Sequence, residues 1–393
     1  MNEKRSILFN VAPLVGRELD YIQEALHSRH LQGNGAQTRA CQAWLKERLA
    51  VADALLTQSC TAALELAALL CDLQPGDEVI MPSFTFVSTA NAVVLRGAVP
   101  VFVDIRNDTL NIDEDVIASA ITPRTRAIFA VHYAGVCAEM DVLRDIAQRH
   151  HLMLVEDAAQ ALGSTYRGRP AGALGDMGCF SFHESKNTVS GEGGALTLMR
   201  EDLIERAHIL WEKGTNRRQF FLGQTDKYTW VDVGSSFLPS EITAAVLRAQ
   251  LEVVDRVIAD RRTAWNNYHE ALAPLESRGF LRRPQVPEHC GHNAHIYAIR
   301  LADAASRDGL IAALRSNGIT APFHYIPLHS APAGRRYGRQ AGPLPITENT
   351  SATLVRLPLW YGIGDKVFQV IEQLSEYVAA NAHALETASP PIN

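Results

Sequence analysis

Apolar and polar positions along the chain predict helices and short strands that follow one another. The spacing of Leu19, Ile22 and Leu26 predicts a helix over residues 17–28, and a second helix over 38–49 follows a glycine turn at 33–35. Strands are then predicted over 78–81, 100–104, 126–132 and 151–155, with helices ending at Leu95 and spanning 113–120 and 138–150. This α/β alternation predicts a mostly parallel sheet sandwiched by helices, with ligands at the carboxyl ends of the strands.

The C-terminal part shows a second, smaller α/β pattern. Residues 239–272 predict one long helix, after which come a strand over 295–301, a helix over 307–317 and a final helix near 368–383. The tail, 387–393, is expected to be flexible. We therefore predict a large domain over residues 1–245 and a smaller C-terminal domain over 246–393, entered by the long helix.

Composition favours a globular protein and excludes several functions. The 393 residues are 47% apolar and 20% charged, which is typical of two or three folded domains and excludes a mostly disordered chain. The net charge of −6 gives no sign of a nucleic-acid partner. The apolar runs are too short to cross a membrane and no signal-peptide core follows the N-terminus, so a cytoplasmic location is expected. The six cysteines and 14 histidines show no metal-ligand spacing, so no metal site is predicted.

One lysine stands between a short apolar strand and a glycine-rich turn. The run 179–182 predicts a buried strand whose end delivers Ser181 and then Lys186, and the glycines in 191–194 let the backbone pass close to a bulky group. Desolvation would lower the pKa of such a lysine, and a neutral amine can attack a carbonyl to form a Schiff base. The alternative is an ordinary solvated lysine before a turn.

Three further features precede this lysine in the chain. The turn Ser59-Cys60-Thr61 opens a helix whose first N–H groups could bind a phosphate, although its hydroxyls could simply cap the helix. Phe86 lies in a loop, where it could stack on a flat ring or pack like any other aromatic. Asp157 ends a predicted buried strand and requires a cation, for which a protonated pyridine nitrogen or a basic side chain would serve.

With these residues, the chain resembles the DegT/DnrJ/EryC1/StrS family of sugar aminotransferases, which are pyridoxal-phosphate enzymes of fold type I. The similar segments cover nearly the whole chain and include PLVGRELDYI, GDEVIMPSFTFVSTANAVVLRGAVPVFVDI, VHYAG, VEDAAQALGS, CFSFHESKN, GEGGAL, EKGTNR and HYIPLH. Within the family, FHESKN, KGTNR and DKYTW are similar to segments of transaminases that act on dTDP-4-keto-6-deoxyglucose. The resemblance implies a homodimer with active sites at the subunit interface. It also implies transfer of an amino group from L-glutamate to C4 of a nucleotide-linked 4-keto-6-deoxyhexose.

The resemblance also implies roles for individual residues. Lys186 matches the lysine that holds pyridoxal 5'-phosphate and moves the proton, and Asp157 matches the partner of the ring nitrogen. The other implied cofactor residues are Gln160 near the ring hydroxyl, Phe86 on the ring face, Ser59, Cys60 and Thr61 in the phosphate turn, and Ser181 as a further phosphate hydroxyl. Ser236 stands where many relatives carry an asparagine that reaches the phosphate of the neighbouring subunit, and His183 receives no role.

Substrate residues are expected near the mouth of the site, because a sugar nucleotide carries a diphosphate. The candidates are Arg217, Lys227, Tyr325 and His329, each of which could instead be a surface or packing residue. Two other functions stay open: a 3-keto-sugar aminotransferase of the same family, and a regulatory protein that binds the cofactor without turnover. A sugar dehydratase is disfavoured, because those relatives carry histidine at the position of Lys186. The nucleotide and the stereochemistry of the amino product are not predicted.

Overall fold

An eight-stranded sheet forms the centre of the computed structural model, which describes residues 6–382 and 385. The strands are β1 (Asp53–Thr57), β2 (Glu78–Pro82), β3 (Val99–Val103), β4 (Thr125–Val131), β5 (Met153–Asp157), β6 (Thr165–Tyr166), β7 (Arg169–Pro170), β8 (Met177–Ser181), β9 (Gly194–Leu198), β10 (Cys290–Gly291), β11 (Tyr297–Arg300), β12 (Arg339–Gln340) and β13 (Leu354–Leu357). The order in the large sheet is β1-β9-β8-β5-β4-β2-β3-β12. Only β9 runs antiparallel to its neighbours in this described sheet, so the predicted mostly parallel sheet is confirmed.

Helices cover both faces of this sheet. They are α1 (Glu18–Ser28), α2 (Ala36–Leu49), α3 (Cys60–Leu70), α4 (Val87–Val94), α5 (Ile117–Ala120), α6 (Met140–Arg149), α7 (Ile204–Trp211), α8 (Arg217–Phe221), α9 (Glu241–Leu251), α10 (Val254–Ala271), α11 (Ala273–Ser277), α12 (Ala304–Ser316), α13 (Pro332–Tyr337), α14 (Pro345–Thr353) and α15 (Lys366–Ala380). Within β2, Ile80 faces one apolar layer, shared with α2, α6 and α9, whereas Val79 and Met81 face the other layer, shared with α3, α4 and α7. The two-residue alternation of a strand therefore supplies both cores.

A third apolar core lies in the C-terminal part of the chain. It joins the antiparallel pair β11 and β13 to α10, α12 and α15, through residues such as Ile299, Leu310, Val355 and Val370. Helix α9 and the start of α10 pack against the large sheet, whereas α10 from Ala264 onward belongs to the third core. The division of the chain at residue 245 stays a prediction.

The single long helix predicted over residues 239–272 is wrong. Helix α9 ends at Leu251 and α10 begins at Val254, because Val253, with φ −122° and ψ 14°, leaves the helical region. The break lets α9 follow the large sheet while α10 continues into the C-terminal core. The predicted end of the last helix at 383 and the tail at 387–393 lie outside the described residues.

Helix α1, predicted from the spacing of Leu19, Ile22 and Leu26, is present but packs on the rest of the chain through another face. Leu19 and Leu26 are 78% and 52% exposed, and the helix buries Tyr21 and Ala25 instead. These two residues pack on the alanine-rich face of α9, where small side chains allow a close approach. Within residues 6–382 and 385, every helix is too short or too polar to span a bilayer.

A buried carboxylate ties the edge strand β12 to the rest of the sheet. Glu78 begins β2 and is fully buried, and it accepts hydrogen bonds from Arg339 (2.7 and 3.0 Å), Arg124 (2.6 Å) and Thr122 (2.8 Å). The guanidinium of Arg339, which begins β12, is the main reason that the pKa of Glu78 falls from 4.5 to about 2. The carboxylate therefore stabilises the fold only while it is ionised.

We predict that Glu78→Gln lowers the free energy of unfolding by about 3 kcal/mol at pH 7, because two guanidinium groups lose their buried anionic partner and the amide offers them a single acceptor oxygen. The folded pKa is depressed, so this loss is constant above pH 4.5 and shrinks as the pH falls toward 2. Urea unfolding followed by tryptophan fluorescence between pH 3 and pH 7 measures it. The exposed pair of Asp255 with Arg48 provides a control, since Asp255→Asn should cost less than about 0.5 kcal/mol. An equal loss at pH 3 and pH 7 would contradict the prediction.

Candidate active site

A cleft of about 680 Å³ opens at the carboxyl ends of three parallel strands. Val131, Asp157 and Ser181 end β4, β5 and β8 and line its floor. The start of α3 forms one wall, and residues 322–325 and 356–359 of the C-terminal part form the opposite wall. The cleft thus lies where an open parallel sheet offers a binding crevice.

Lys186 lines this cleft on the loop between β8 and β9. Its backbone N–H donates to the carbonyl of His183 (2.9 Å), and Phe182 exchanges backbone bonds with Ser190 (2.7 Å) and Gly193 (2.8 Å), which fold the loop back on itself. Burial lowers the pKa of the Lys186 amine because it penalises the charged form, and the positive charge of Arg356 acts in the same direction. A larger fraction of this amine is therefore neutral and nucleophilic than on an exposed lysine.

Asp157 faces the same cleft with a carboxylate that has no ion pair within the described part of the chain. Its Oδ2 accepts a hydrogen bond from Thr89 Oγ1 (2.7 Å), and its Oδ1 accepts one from the N–H of Ala159 (3.2 Å). Thr89 in turn contacts Thr85 through their hydroxyls (2.9 Å). Burial raises the pKa of Asp157, and the Thr89 hydroxyl opposes that rise. The carboxylate is therefore oriented, and a cationic ring nitrogen would offset the cost of its burial.

The start of α3 brings hydroxyls and backbone N–H groups to the cleft. Ser59 caps the helix by accepting from the N–H of Ala62 (3.1 Å), and Thr61 contacts Ser88 through their hydroxyls (2.7 Å). The N–H groups of Cys60 and Thr61 lie in the first turn, where no intrahelical acceptor exists. Ser59 can cap the helix while the same turn binds an anion. The cap uses the N–H of Ala62, and an anion would use those of Cys60 and Thr61.

Gln160 links the cleft floor to the C-terminal wall. Its Oε1 accepts from the N–H of Ala134 (2.7 Å), and its Nε2 donates to the hydroxyl of Tyr325 (3.0 Å). The Tyr325 ring stacks on His324, with centroids 3.5 Å apart. Phe86, which precedes α4, also lines the cleft and keeps 57% of its surface exposed, so a flat ligand could cover it.

The cleft therefore brings together most of the predicted site residues: Ser59, Cys60, Thr61, Phe86, Asp157, Gln160, Ser181, Lys186 and Tyr325. His183 also lines it, and its Nδ1 contacts Ser185 Oγ (2.9 Å). Within the described residues, no three His, Cys, Asp or Glu side chains come together as metal ligands would.

Four predicted residues lie outside this cleft in the described chain. Ser236 is exposed, and its carbonyl accepts from the side chain of Gln58, next to the phosphate turn. Arg217 begins α8, and Lys227 is exposed in the segment that follows that helix. His329 is buried, and its ring contacts Ser83 Oγ (2.7 Å), so in this chain it supports the loop after β2. Contact of these four residues with a substrate or cofactor stays a prediction.

Thr89 and Arg356 line or support the site and were missed by the sequence analysis. Arg356 interrupts the apolar segment LVRLPLW, and a charge inside such a strand was a usable signal. Thr89 carries no such signal, because a threonine in the first turn of α4 is ordinary. Only the fold brings it beside Asp157, which is 68 residues away in the chain.

The chain is similar to known proteins over nearly its whole length. The model of the DegT/DnrJ/EryC1/StrS aminotransferase family matches residues 14–375. GDP-perosamine synthase of Caulobacter vibrioides is 34% identical over 368 residues, which are 92% of this chain and 96% of that protein. The aminotransferase TlmJ of Streptoalloteichus hindustanus has 32% identity and a TM-score of 0.86, over 95% of this chain and 99% of that one. The PLP form of the putative sugar aminotransferase Spr1654 of Streptococcus pneumoniae has 26% identity and a TM-score of 0.88, over 95% and 99%.

Gly194 allows β9 to pass directly behind the Ser59-Cys60 turn. A Cβ at Gly194 would lie 2.4 Å from the carbonyl carbon of Ser59 and 2.5 Å from the nitrogen of Cys60, and these backbone atoms cannot rotate away. We predict that Gly194→Ala displaces the turn and weakens binding of pyridoxal phosphate about tenfold or more, or about 1.4 kcal/mol. Spectroscopic titration of the cofactor-free protein measures it, and Gly342→Ala, whose Cβ would meet nothing within 4 Å, is the control. Equal affinities for both variants would refute this role.

Proposed function

Because the chain belongs to the DegT/DnrJ/EryC1/StrS aminotransferase family and is a sugar aminotransferase that uses pyridoxal phosphate, we propose that it makes an amino sugar on a nucleotide carrier. The amino donor is L-glutamate, and the acceptor is the C4 keto carbon of a nucleotide-linked 4-keto-6-deoxyhexose. We propose dTDP-4-keto-6-deoxyglucose as that acceptor, on the likeness of the segments FHESKN, KGTNR and DKYTW. The observation that carries the proposal is that Lys186 and Asp157 share one cleft with a helix N-terminus.

The cleft fits pyridoxal phosphate at three points. The uncompensated carboxylate of Asp157 matches a protonated ring nitrogen, and the hydroxyls and N–H groups at the start of α3 match a phosphate. The amine of Lys186, whose pKa is lowered, matches the aldehyde carbon. When bound, the cofactor supplies an electron sink that stabilises the negative charge left when the adjacent carbon loses its proton.

The chain's own residues orient the groups and move the proton. Thr89 donates a hydrogen bond to Asp157, which orients the carboxylate and opposes the rise in its pKa that burial causes, and the oriented carboxylate would keep the ring nitrogen protonated. Lys186 would be the base that removes the proton from the α-carbon of the donor and delivers it to the cofactor carbon. Burial favours this role, because it lowers the pKa of the amine below that of a free lysine. Phe86 would cover the ring face and Gln160 would contact the ring hydroxyl, since both line the cleft.

We also propose that the protein is a homodimer. Several large apolar side chains are exposed along the N-terminal segment and the segment after α8, among them Leu14 (82%), Leu19 (78%) and Trp230 (79%). A second copy that packed on these segments would remove these side chains from water. The segment 217–236 carries Arg217, Lys227 and Ser236, and in a dimer these would complete the cleft of the neighbouring subunit.

We predict that Lys186→Ala abolishes turnover and leaves the fold intact, because the side chain that holds the cofactor and moves the proton is lost. Amino-sugar formation should fall by at least about 10³-fold, while the circular dichroism spectrum and unfolding midpoint stay close to those of the parent protein. Lys46→Ala, at an exposed position near the end of α2, is the control and should retain full activity. Sustained turnover by the Lys186 variant would count decisively against the assignment.

We predict that L-glutamate bleaches the long-wavelength absorbance of the cofactor-loaded protein and that dTDP-4-keto-6-deoxyglucose restores it. The name of the relative GDP-perosamine synthase makes a GDP-linked 4-keto-6-deoxy sugar the informative competitor. If the GDP-linked sugar reacts with a higher second-order rate constant than the dTDP-linked sugar, GDP takes the place of dTDP in the proposed acceptor. NMR of the product distinguishes amination at C4 from amination at C3, and no bleaching at all would favour a regulatory protein.

A further inference from the structure

A buried histidine of the C-terminal wall is hydrogen-bonded to the residue that follows Lys186. Nδ1 of His295 lies 3.0 Å from Oδ1 of Asn187, and the amide Nδ2 of Asn187 donates to the carbonyl of Asn293 (2.8 Å). Arg261, which is also buried, donates from Nη2 to the carbonyl of His295 (2.8 Å). The imidazole is therefore held in one orientation, through its ring and through its backbone.

This geometry fixes the position of the proton on the ring. The Nδ2 of Asn187 serves as a donor elsewhere, so the atom that faces His295 is the amide oxygen, which can only accept. Nδ1 must therefore carry the proton. Burial is the main reason that the pKa of His295 lies well below the ordinary histidine value, and the charge of Lys186 acts in the same direction. The ring is thus neutral at pH 7, and its Nε2 is an acceptor.

Two complementary groups in the cleft lack partners. His295 lines the cleft, and its Nε2 accepts no hydrogen bond within residues 6–382 and 385, although it is not sealed off from the cavity. The amine of Lys186 lines the same cleft and donates no hydrogen bond to any described residue. An unpaired acceptor in a buried wall is costly, and an amine placed beside it would offset that cost.

The second histidine of this wall is less suited to the amine. The Nδ1 of His324 contacts the hydroxyl of Tyr133 (2.8 Å), so either ring nitrogen of His324 can carry the proton. Among charged neighbours, Arg356 lowers the pKa of His324 more than Lys186 does. For His295, Lys186 is the charged neighbour that lowers the pKa most, which places this ring close to the amine.

The other acceptors that line the cleft have partners or water. Oε1 of Gln160 already accepts from the N–H of Ala134 (2.7 Å), and under the proposed function Asp157 faces the ring nitrogen. Glu192 lies at the mouth, where its side chain is 71% exposed and solvated. Nε2 of His295 is therefore the acceptor that best fits an amine inside the cleft.

We propose that Nε2 of His295 accepts a hydrogen bond from the Lys186 amine whenever that amine is not bound to the cofactor. This rests on the proposed function, in which the amino donor displaces Lys186 and the free amine then takes a proton from the donor carbon. A long side chain has many rotamers, and one fixed acceptor selects among them. The ammonium formed by the proton transfer keeps its bond to His295, so a charge away from water has a partner. His295 is thus a positioning residue that acts through Lys186.

Two substitutions separate the roles of the ring nitrogens. His295→Asn places an amide N–H where Nδ1 lies, and so keeps the bond to Asn187, but it has no atom in the place of Nε2. His295→Gln reaches as far as Nε2 and restores an acceptor oxygen there. His150→Asn, at the exposed end of α6, is the matched control.

The first test uses the cofactor-free protein and needs no turnover. Trace acetylation with acetic anhydride at pH 7, followed by peptide mapping, measures how fast the Lys186 amine reacts relative to the exposed amine of Lys46. A hydrogen bond to Nε2 favours the ammonium form, which does not react. We therefore expect Lys186 to react about five- to tenfold faster in His295→Asn than in the parent protein. His295→Gln should restore most of the protection, and His150→Asn should match the parent.

The second test measures the reaction of L-glutamate with the cofactor-loaded protein. In His295→Asn, we expect the maximal bleaching rate to fall about tenfold and the concentration for half-maximal rate to change less than about twofold, because no contact with the donor is removed. L-Glutamate deuterated at the α-carbon should show a larger isotope effect in this variant than in the parent protein, since proton transfer has become slower. A similar fall is expected with the keto sugar, starting from the protein loaded with pyridoxamine 5'-phosphate, because Lys186 moves the proton in both half-reactions.

Failure of the inference can be told from failure of the proposed function. If L-glutamate does not bleach the parent protein, the proposed function fails, whereas acetylation of Lys186 still shows whether His295 holds the amine. Equal acetylation of Lys186 in His295→Asn and the parent protein would overturn the inference. A loss of rate with the keto sugar alone would also overturn it, since it would show that His295 binds the sugar instead.

Discussion

The buried carboxylate of Asp157 is the constraint on which the site depends. Asp157 ends a central strand away from water, and this burial raises the pKa of its carboxyl group. The buried charge destabilises the fold unless another group offsets it. The chain offsets only part of that charge, with the Thr89 hydroxyl and the N–H of Ala159. Under the proposed function, a cationic ring nitrogen would offset the rest of the charge on Asp157 when the cofactor binds.

Strand register explains why the other groups surround this carboxylate. Asp157 lies opposite Cys179 across β5 and β8, and Ser181 lies opposite Gly194 across β8 and β9. Gly194 in turn lies opposite Thr57, directly before the phosphate turn. Two neighbouring rows of paired residues thus position the carboxylate, the strand that leads to Lys186 and the start of α3 at one edge of the sheet. The C-terminal wall then adds Arg356 and Tyr325 on a separate pair of strands and loops, so the cleft combines two cores.

The amino-acid sequence predicted the parts of the fold that depend on local pattern. The parallel sheet follows from alternating strands and helices, and the cleft floor follows from polar residues placed directly after apolar strands, as at Asp157 and Ser181. The face of α1 could not be predicted, because Leu19 is exposed while Tyr21 packs on α9, and periodicity alone does not say which face is covered. The break at Val253 was hidden within an uninterrupted helical pattern. The pairing of Thr89 with Asp157 depends on a long-range contact that no local signal announces.

Reduction of the cofactor-loaded protein with borohydride, followed by peptide mapping, tests most directly whether Lys186 holds the cofactor. Reduction makes the bond between the cofactor and its lysine permanent, so mass spectrometry can locate the modified side chain. We predict that the label lies on Lys186, within the loop between β8 and β9, and that prior addition of L-glutamate prevents labelling. A label on another lysine, or no label on a protein that binds the cofactor, would contradict it.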